Sequence, residues 1–408
     1  MATLQDSKKQ RGKIITIFRD KTICMKALFT LLLSLLSIPL LLAQDSLSAK
    51  AEISVLTLGP TQTELYSAFG HSAIRVYDPE LGIDDAYNWG VFDFDQPNFY
   101  LNFARGYLYY KLGVYPYDRF RDYYIYYNRY VHEQPLNLTQ AQKQKLYEYL
   151  VWNSQPENQN YRYDYFYNNC ATKVRDVFST VFGDSVHFDG SHIKTDYSIR
   201  DLTDIYLAQQ PWGDLGIDIC LGLPMDKKAS PSEYMFLPDY IEAGFNHATL
   251  SGKPLVKETI SVYESRDEEV KASLIHPLVA FTVFALLTIV LSQWDLKRKK
   301  ISRWFDVILF SVLGIVGLLL FCLWFFTDHQ AAAINFNLLW ALPTHCVVAI
   351  ALLTNRKWVS TYFLVAAGIS LLTLLLWPIL PQSLNIFLLP LVVAVLIRSL
   401  LNYRLRKG

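Results

Sequence analysis

The chain has 408 residues, of which 18% are charged and 52% belong to the apolar set, and its 38 basic and 37 acidic residues leave a formal charge of +1. Globular proteins average roughly 25% charged, and here the apolar excess sits in a short run near the N-terminus and in the last third, which excludes a wholly soluble protein. No basic block in the middle of the chain could neutralise a row of phosphates, so nucleic acid is not an expected partner, and the five cysteines lack the paired spacing of a disulfide scaffold or a CxxC metal or redox site.

Residues 1–43 join a basic lead (Lys8, Lys9, Arg11, Lys13, Arg19, Lys21, Lys26) to the apolar run ALFTLLLSLLSIPLLLA, the pattern of a secretory signal or an uncleaved N-terminal anchor. Met25 followed by Lys26 would make a more ordinary start. Residues 44–262 read as the exported domain, 263–273 as a polar linker and 274–408 as a membrane part. In the exported domain AEISVLTLG (51–59) and HSAIRVYD (71–78) predict strands, the second with His71, Ala73 and Arg75 on one face and Ser72, Ile74 and Val76 on the other. DDAYNWGVFDF (84–94) is the expected hairpin partner after the turn DPELG. Thr139 and Gln142 form a capping box ahead of the apolar face of LYEYLVW. A second helix starts at Asn169 or Cys170, carries Ala171, Val174, Val177, Phe178, Val181 and Phe182 at helical spacing, and ends at Gly183.

Five apolar segments follow, near 277–293, 305–326, 332–353, 358–379 and 384–401, each close to the ~20 residues that cross a bilayer. The first and third connectors and the tail are basic (Lys297 to Arg303; Arg356, Lys357; Arg404, Arg406, Lys407), while TDHQAAA and LPQS carry no Lys or Arg. That alternation predicts a cytoplasmic C-terminus and places residue 273 outside, on the side to which the signal delivers the exported domain. Asp328, His329, Asn335, Asn337 and His345 gather at the outer end of spans two and three, where polar groups are costly and often mark function.

Cys170 falls in the first turn of an amphipathic helix, with Asn168 or Asn169 as cap, where the helix dipole and unpaired N–H groups favour a thiolate. His71, opening a strand after Gly70, is the best candidate for its base, and Asn88 on the next strand for the group that orients the imidazole. Asn169, Tyr163, Arg75 and Trp89 complete the candidate set as substrate-binding or supporting residues. No metal site is predicted from His132, His187, His192 and His247, and no cofactor is expected. The alternative is a non-enzymatic envelope binding or assembly module in which Cys170 pairs with Cys220, the default for two exported cysteines.

The strings ELYSAFGHSAIRVYD (64–78), YNWGVFDFDQPNF (87–99) and YRYDYFYNNCATKVRD (161–176) resemble the Lnb N-terminal periplasmic domain family of Gram-negative bacteria, over roughly residues 45–245. The order of a His on a strand and a later Cys at a helix start is also similar to the circularly permuted NlpC-type papain-like hydrolases and acyltransferases. This resemblance implies an α+β papain-like fold for the periplasmic domain, and together with the five apolar segments the chain reads as a multi-pass protein of the bacterial inner membrane, with that domain ahead of five transmembrane helices. The resemblance also implies Cys170 as nucleophile, His71 as base and Asn88 as third member. The expected reaction is hydrolysis or transfer of amide or ester acyl groups. The expected partners are membrane lipids and a cell-envelope substrate, lipid-linked or peptidoglycan.

Overall fold

A computed structural model describes residues 46–92, 95–266, 275–354 and 356–407. The predicted export segment 1–43 and most of the linker 263–273 lie outside the described residues. The exported part is built on an antiparallel sheet. Its elements in chain order are β1 (Glu52–Leu58), β2 (His71–Asp78), β3 (Ile83–Val91), α1 (Phe99–Arg105), β4 (Leu108–Pro116), α2 (Tyr117–Tyr126), β5 (Val131–Pro135), α3 (Gln140–Ser154), β6 (Asn160–Tyr163) and α4 (Cys170–Phe182). Then come β7 (Val186–His187), α5 (Ile199–Leu207), α6 (Pro211–Cys220), α7 (Pro238–Asn246), β8 (Thr249–Leu250), β9 (Lys253–Pro254) and β10 (Ile260–Tyr263). The large sheet runs β10-β5-β1-β2-β3-β4-β6, and β7, β8 and β9 form a small second sheet.

Strand alternation sorts the side chains as the sequence predicts. Ile74 and Val76 of β2 join Val55, Tyr87 and Trp89 against Ala171, Val174, Val177 and Phe178 of α4, with Leu146 and Leu150 of α3 and Ile241 and Phe245 of α7 closing that core. Ala73 points to the opposite face, where Tyr117, Phe120 and Tyr124 of α2 cover Leu56, Leu58 and Ala86. Full burial of a Phe such as Phe178 contributes about 1.5–3 kcal/mol. The predicted capping box is present, with the Gln142 amide donating to Thr139 and Thr139 back to Gln142. Such caps are worth ~1 kcal/mol.

The membrane part holds α8 (Pro277–Arg298), α9 (Arg303–Phe326), α10 (His345–Ala351), α11 (Trp358–Leu376) and α12 (Leu389–Lys407). Among the described residues four helices are long and apolar enough to cross a membrane, and the third predicted span, 332–353, is not one of them. That segment is two short turns followed by the seven-residue α10. Its polar side chains explain the break. Asn335 caps the turn at Phe336 and donates to the Ile219 carbonyl, Asn337 accepts from the Trp340 indole, and Pro343 withholds an amide just ahead of α10. The segment lies hard against α9 because residue 317 is glycine: a Cβ there would meet the Ala341 carbonyl oxygen at 1.9 Å.

At the end of the bundle that bears the basic connectors, Arg398 is fully buried and donates to Asp306 (2.6 and 2.9 Å), Asp295 (3.0 Å) and Ser292 (3.1 Å). Asn402 adds a bond to Asp306 at 2.7 Å. At the opposite end the exported domain is locked onto the bundle. Residues 47–408 form one compact unit, and Leu215 of α6 sits in the core of the bundle beside Trp340 and Leu388. The Gly222 amide donates to Ala331, Gln382 to the Leu221 carbonyl, Asn385 to Asp218, and the Trp212 indole to Ile275.

Candidate functional site

Cys170 owes its position to the cap before it. Asn169 and Thr172 form a reciprocal capping box, and the Asn169 amide also donates to the Tyr165 and Phe236 carbonyls, so the first turn of α4 is fixed from both sides. The β2–β3 ladder is paired from Ile74 to Asp78. Beyond it the Ser72 backbone N–H turns to the Cys170 sulfur, as does the N–H of Ala171. On its other edge β3 shifts register against β4 between Trp89 and Val91. Gly90 takes a positive φ of 98° there, and a Cβ on it would meet Cys170 Cβ at 3.6 Å and His71 Cε1 at 3.8 Å.

Those two side chains, 99 positions apart in sequence, therefore face one another at the end of the sheet. His71 Nε2 is 2.5 Å from Asn88 Oδ1, which leaves the other ring nitrogen for the hydrogen bond to Cys170. Burial pushes the Cys170 thiol up, but the imidazole beside it and the Ser72 and Ala171 amides outweigh that and hold it below the ordinary thiol range. Burial likewise pulls His71 down, and the sulfur and Asn88 outweigh it, so the imidazole protonates above its ordinary value. Both shifts favour a thiolate–imidazolium pair.

The surround is aromatic. Tyr124 stacks on the His71 ring at 6.2 Å and 14°, with Phe120 at 6.5 Å. Arg129 lies over Tyr124, 4.6 Å from the ring centroid, with its Nε 2.5 Å from the Gly59 carbonyl. On the other flank Tyr163 stacks on Tyr110 at 4.2 Å, and burial together with the Cys170 charge holds its hydroxyl well above the ordinary phenol range. Arg129 and Tyr124 were not singled out from sequence. YYIYYNRY (123–130) carries no local signal, and only the packing of α2 and the turn after it on the face of the sheet brings them to the histidine.

Cys170, His71, Asn88 and Tyr163 thus come together, and Asn169 supports them as the cap. Arg75 and Trp89 lie elsewhere. Arg75 is paired with Asp84 (2.7 Å) and Glu133 (3.0 Å) over the Tyr117 ring, and Trp89 is a core residue whose indole donates to Asn153. The Cys170–Cys220 bridge of the alternative reading is not formed. Both thiols are free, and Cys220 ends α6, where its carbonyl accepts from Asn335.

Asp328, His329, Asn335 and Asn337, flagged in the sequence for cost at membrane depth, serve the junction between domain and bundle. Asp328 pairs with Arg162 at 2.5 Å, and His329 meets the Phe103 carbonyl at 3.1 Å. His345 is buried inside the bundle, bonded to Tyr362 at 2.8 Å. A carboxylate cluster lies at the same junction. Asp204, Asp214 and Asp218 each offer an oxygen within 4.8 Å of the others, the kind of set that can hold a metal ion, with Asp218 already engaged by Arg200 (2.6 Å) and Asn385 (2.9 Å). Burial and the neighbouring carboxylates raise Asp204 to about 8 and Asp214 to about 6, so the pair shares a proton near neutrality. Between the β4–β6 edge and the outer connector is a cavity of about 320 Å³, lined by Arg162, Tyr163, Tyr165, Asp328, His329 and Gln330 among others. Tyr163 belongs both to this cavity and to the surround of Cys170.

No curated protein and no solved structure matches the chain. Two family models do. Residues 43–204 match the Lnb N-terminal periplasmic domain, and residues 268–408 match the Lnb transmembrane domain, a model of five transmembrane helices. The protein carries both domains in that order and belongs to the Lnb family, as a membrane protein with a periplasmic N-terminal domain.

Proposed function

We propose that the protein is a cysteine acyltransferase or hydrolase of the cell envelope, working through a permuted papain-like triad of Cys170, His71 and Asn88. The observation that carries this reading is the buried contact between a lowered thiol and a raised imidazole whose far nitrogen is held by Asn88. A disulfide module has no use for that arrangement.

In the proposed cycle His71 holds the Cys170 proton and the thiolate attacks an acyl carbonyl carbon. The C–S bond forms as the C=O electron pair moves to oxygen, to which the N–H groups at the start of α4 donate hydrogen bonds. Collapse expels an alcohol or amine, which takes the proton from His71 and leaves a thioester on Cys170. An incoming amine, alcohol or water attacks the thioester, returns a proton to His71 and releases the acyl group on the acceptor. Asn88 keeps the ring in the orientation these transfers require.

The substrate class follows from where the site lies. Tyr163 connects it to the cavity at the junction with the bundle, so acyl groups of membrane lipids or lipoproteins fit better than peptidoglycan peptides. The basic connectors and tail at the far end of the bundle support a cytoplasmic C-terminus. The test is the reactivity of the thiol in the full-length protein. Cys170 is expected to alkylate with a midpoint below the ordinary thiol range, and a hydroxylamine-labile acyl adduct is expected on the Cys170 peptide after incubation with envelope lipids. An unreactive thiol, or an adduct that survives Cys170→Ala, rejects the reading.

A further inference from the structure

One helix of the exported domain is built unlike the rest. α1 buries none of its residues, and it presents Tyr100 (78% exposed), Leu101 (56%) and Phe103 (42%) to its surroundings. A soluble domain gains nothing by exposing three large apolar side chains on seven residues. The position of α1 supplies the reason. The Arg105 carbonyl accepts from the Asp328 amide at 2.9 Å, and the Phe103 carbonyl is bonded to His329. Gly106, which ends α1, is so close to the connector that a Cβ on it would meet Asp328 and His329 backbone atoms at 3.1 Å.

α9 ends at Phe326, two residues before that tether, and its last two residues, Phe325 and Phe326, are exposed as lipid-facing residues are. At 1.5 Å per residue α1 is only ~10 Å long. Its apolar side chains therefore continue the lipid-facing surface of α9 at the height where tyrosines and other aromatics concentrate in membrane proteins. Arg105, Tyr107 and Arg162 cluster at its C-terminal end, the guanidinium groups of Arg105 and Arg162 lying 4.9 and 5.0 Å from the Tyr107 ring centroid, as a polar rim on an interfacial helix would.

We propose that α1 lies in the outer leaflet, with Tyr100, Leu101 and Phe103 among lipid chains, and that the cavity beside Tyr163 consequently opens at the bilayer surface. The occupant of the exposed face is the bilayer, because the backbone of α1 is hydrogen-bonded to the connector that leaves the end of α9, beside the exposed Phe325 and Phe326. The part played by the cavity rests on the proposed acyl chemistry, whereas the insertion of α1 does not.

The test is site-directed spin labelling of the full-length protein in liposomes, with all native cysteines replaced by alanine, so that insertion is measured whether or not Cys170 reacts. Single cysteines are placed at Leu101, Phe103 and Gln330, with Val312 on α9 as the lipid reference and Lys50, at the far end of β1 with 70% of its side chain exposed, as the water reference. Collisions with oxygen relative to a water-soluble nickel chelate are expected to rise severalfold from Lys50 to Gln330, and again to Leu101 and Phe103, approaching Val312. Labels at Leu101 and Phe103 that match Lys50 overturn the insertion. Inserted labels there with a Gln330 label that matches Lys50 overturn the placement of the cavity mouth. Failure of Cys170 to form any acyl adduct in the native protein, with α1 inserted, instead removes the acyl chemistry and the cavity's role in it.

Discussion

Two buried polar clusters, one in the bundle around Arg398 and one in the exported domain around Cys170, differ as a clasp differs from the reactive site proposed above. Around Arg398 each guanidinium nitrogen has an acceptor, and Asp295 and Asp306 draw further bonds from Ser302 and Asn402. Such a saturated network fixes α8, α9 and α12 against one another. At Cys170 the partners are fewer and of another kind: a sulfur, one imidazole, one amide oxygen and two backbone N–H groups that shift both titrations toward the charged pair. The first arrangement resists change, whereas the second is poised for a proton to move.

Four measurements would break or sharpen this contrast, beginning with the largest expected effect. Cys170→Ser should lower acyl transfer by at least ~10³–10⁴-fold while leaving the thermal midpoint nearly unchanged, since removal of a nucleophile from such a unit costs most of its catalysis. A loss of stability instead of activity would make Cys170 a packing residue. Arg398→Ala should do the opposite, costing about 3–5 kcal/mol in stability because Asp306 is left buried without its counter-charge while Asp295 keeps only Arg298. A midpoint unchanged by that variant would show that the clasp is dispensable.

His71→Ala should move the alkylation midpoint of Cys170 upward by ~1–3 pH units, the effect of losing an adjacent opposite charge. The signs for the native pair run in opposite directions. Acid protonates the thiolate on a limb below the ordinary thiol range, and alkali removes the His71 proton on a limb above the ordinary imidazole range. The rate profile is therefore a bell whose two values belong to the pair. A native alkylation midpoint at the free-thiol value would dissolve the ion pair.

The smallest effect concerns the junction. The folded protein holds a proton on Asp204 up to about pH 8, whereas the unfolded chain releases it near 3.8, so stability falls as pH rises between those values. Asp204→Asn should flatten that slope and raise the melting midpoint at pH 7.5 by ~2–4 °C, the shift for about 1 kcal/mol in a protein of this size or somewhat smaller. An unchanged slope would show that the carboxylates do not share a proton.

Much of the fold was legible because it is written locally. The alternation in HSAIRVYD separates the two faces of β2, the Thr139–Gln142 pair starts α3, and the helical spacing from Ala171 to Phe182 defines α4. The pairing of Cys170 with His71 could be inferred from side-chain chemistry, while Arg129 and Tyr124 could not, since their place depends on how α2 crosses the sheet. Hydropathy counts five spans, as the matched transmembrane model does, yet among the described residues only four of them are single long helices, for a related reason. A window that sums apolar residues over 332–353 cannot register that Asn335 and Asn337 make their bonds to the exported domain and leave the helix broken. The acidic cluster was invisible because Asp204 and Asp218 belong to different helices whose approach is set by Arg200.

The way α6 is wedged into the bundle has a consequence for reach. With Leu215 in the core of the bundle and the carbonyls of Ile219, Cys220 and Leu221 bonded to Asn335 and Gln382, the described residues clamp the domain to the bundle at several points within one compact unit. Its working height above the lipid is set once, at folding, like a cutter bolted to a bench. For the acyl chemistry proposed above, molecules anchored in the same leaflet would come to that height on their own, while strands of cell wall farther out would not, so geometry would select the substrate before any pocket reads it.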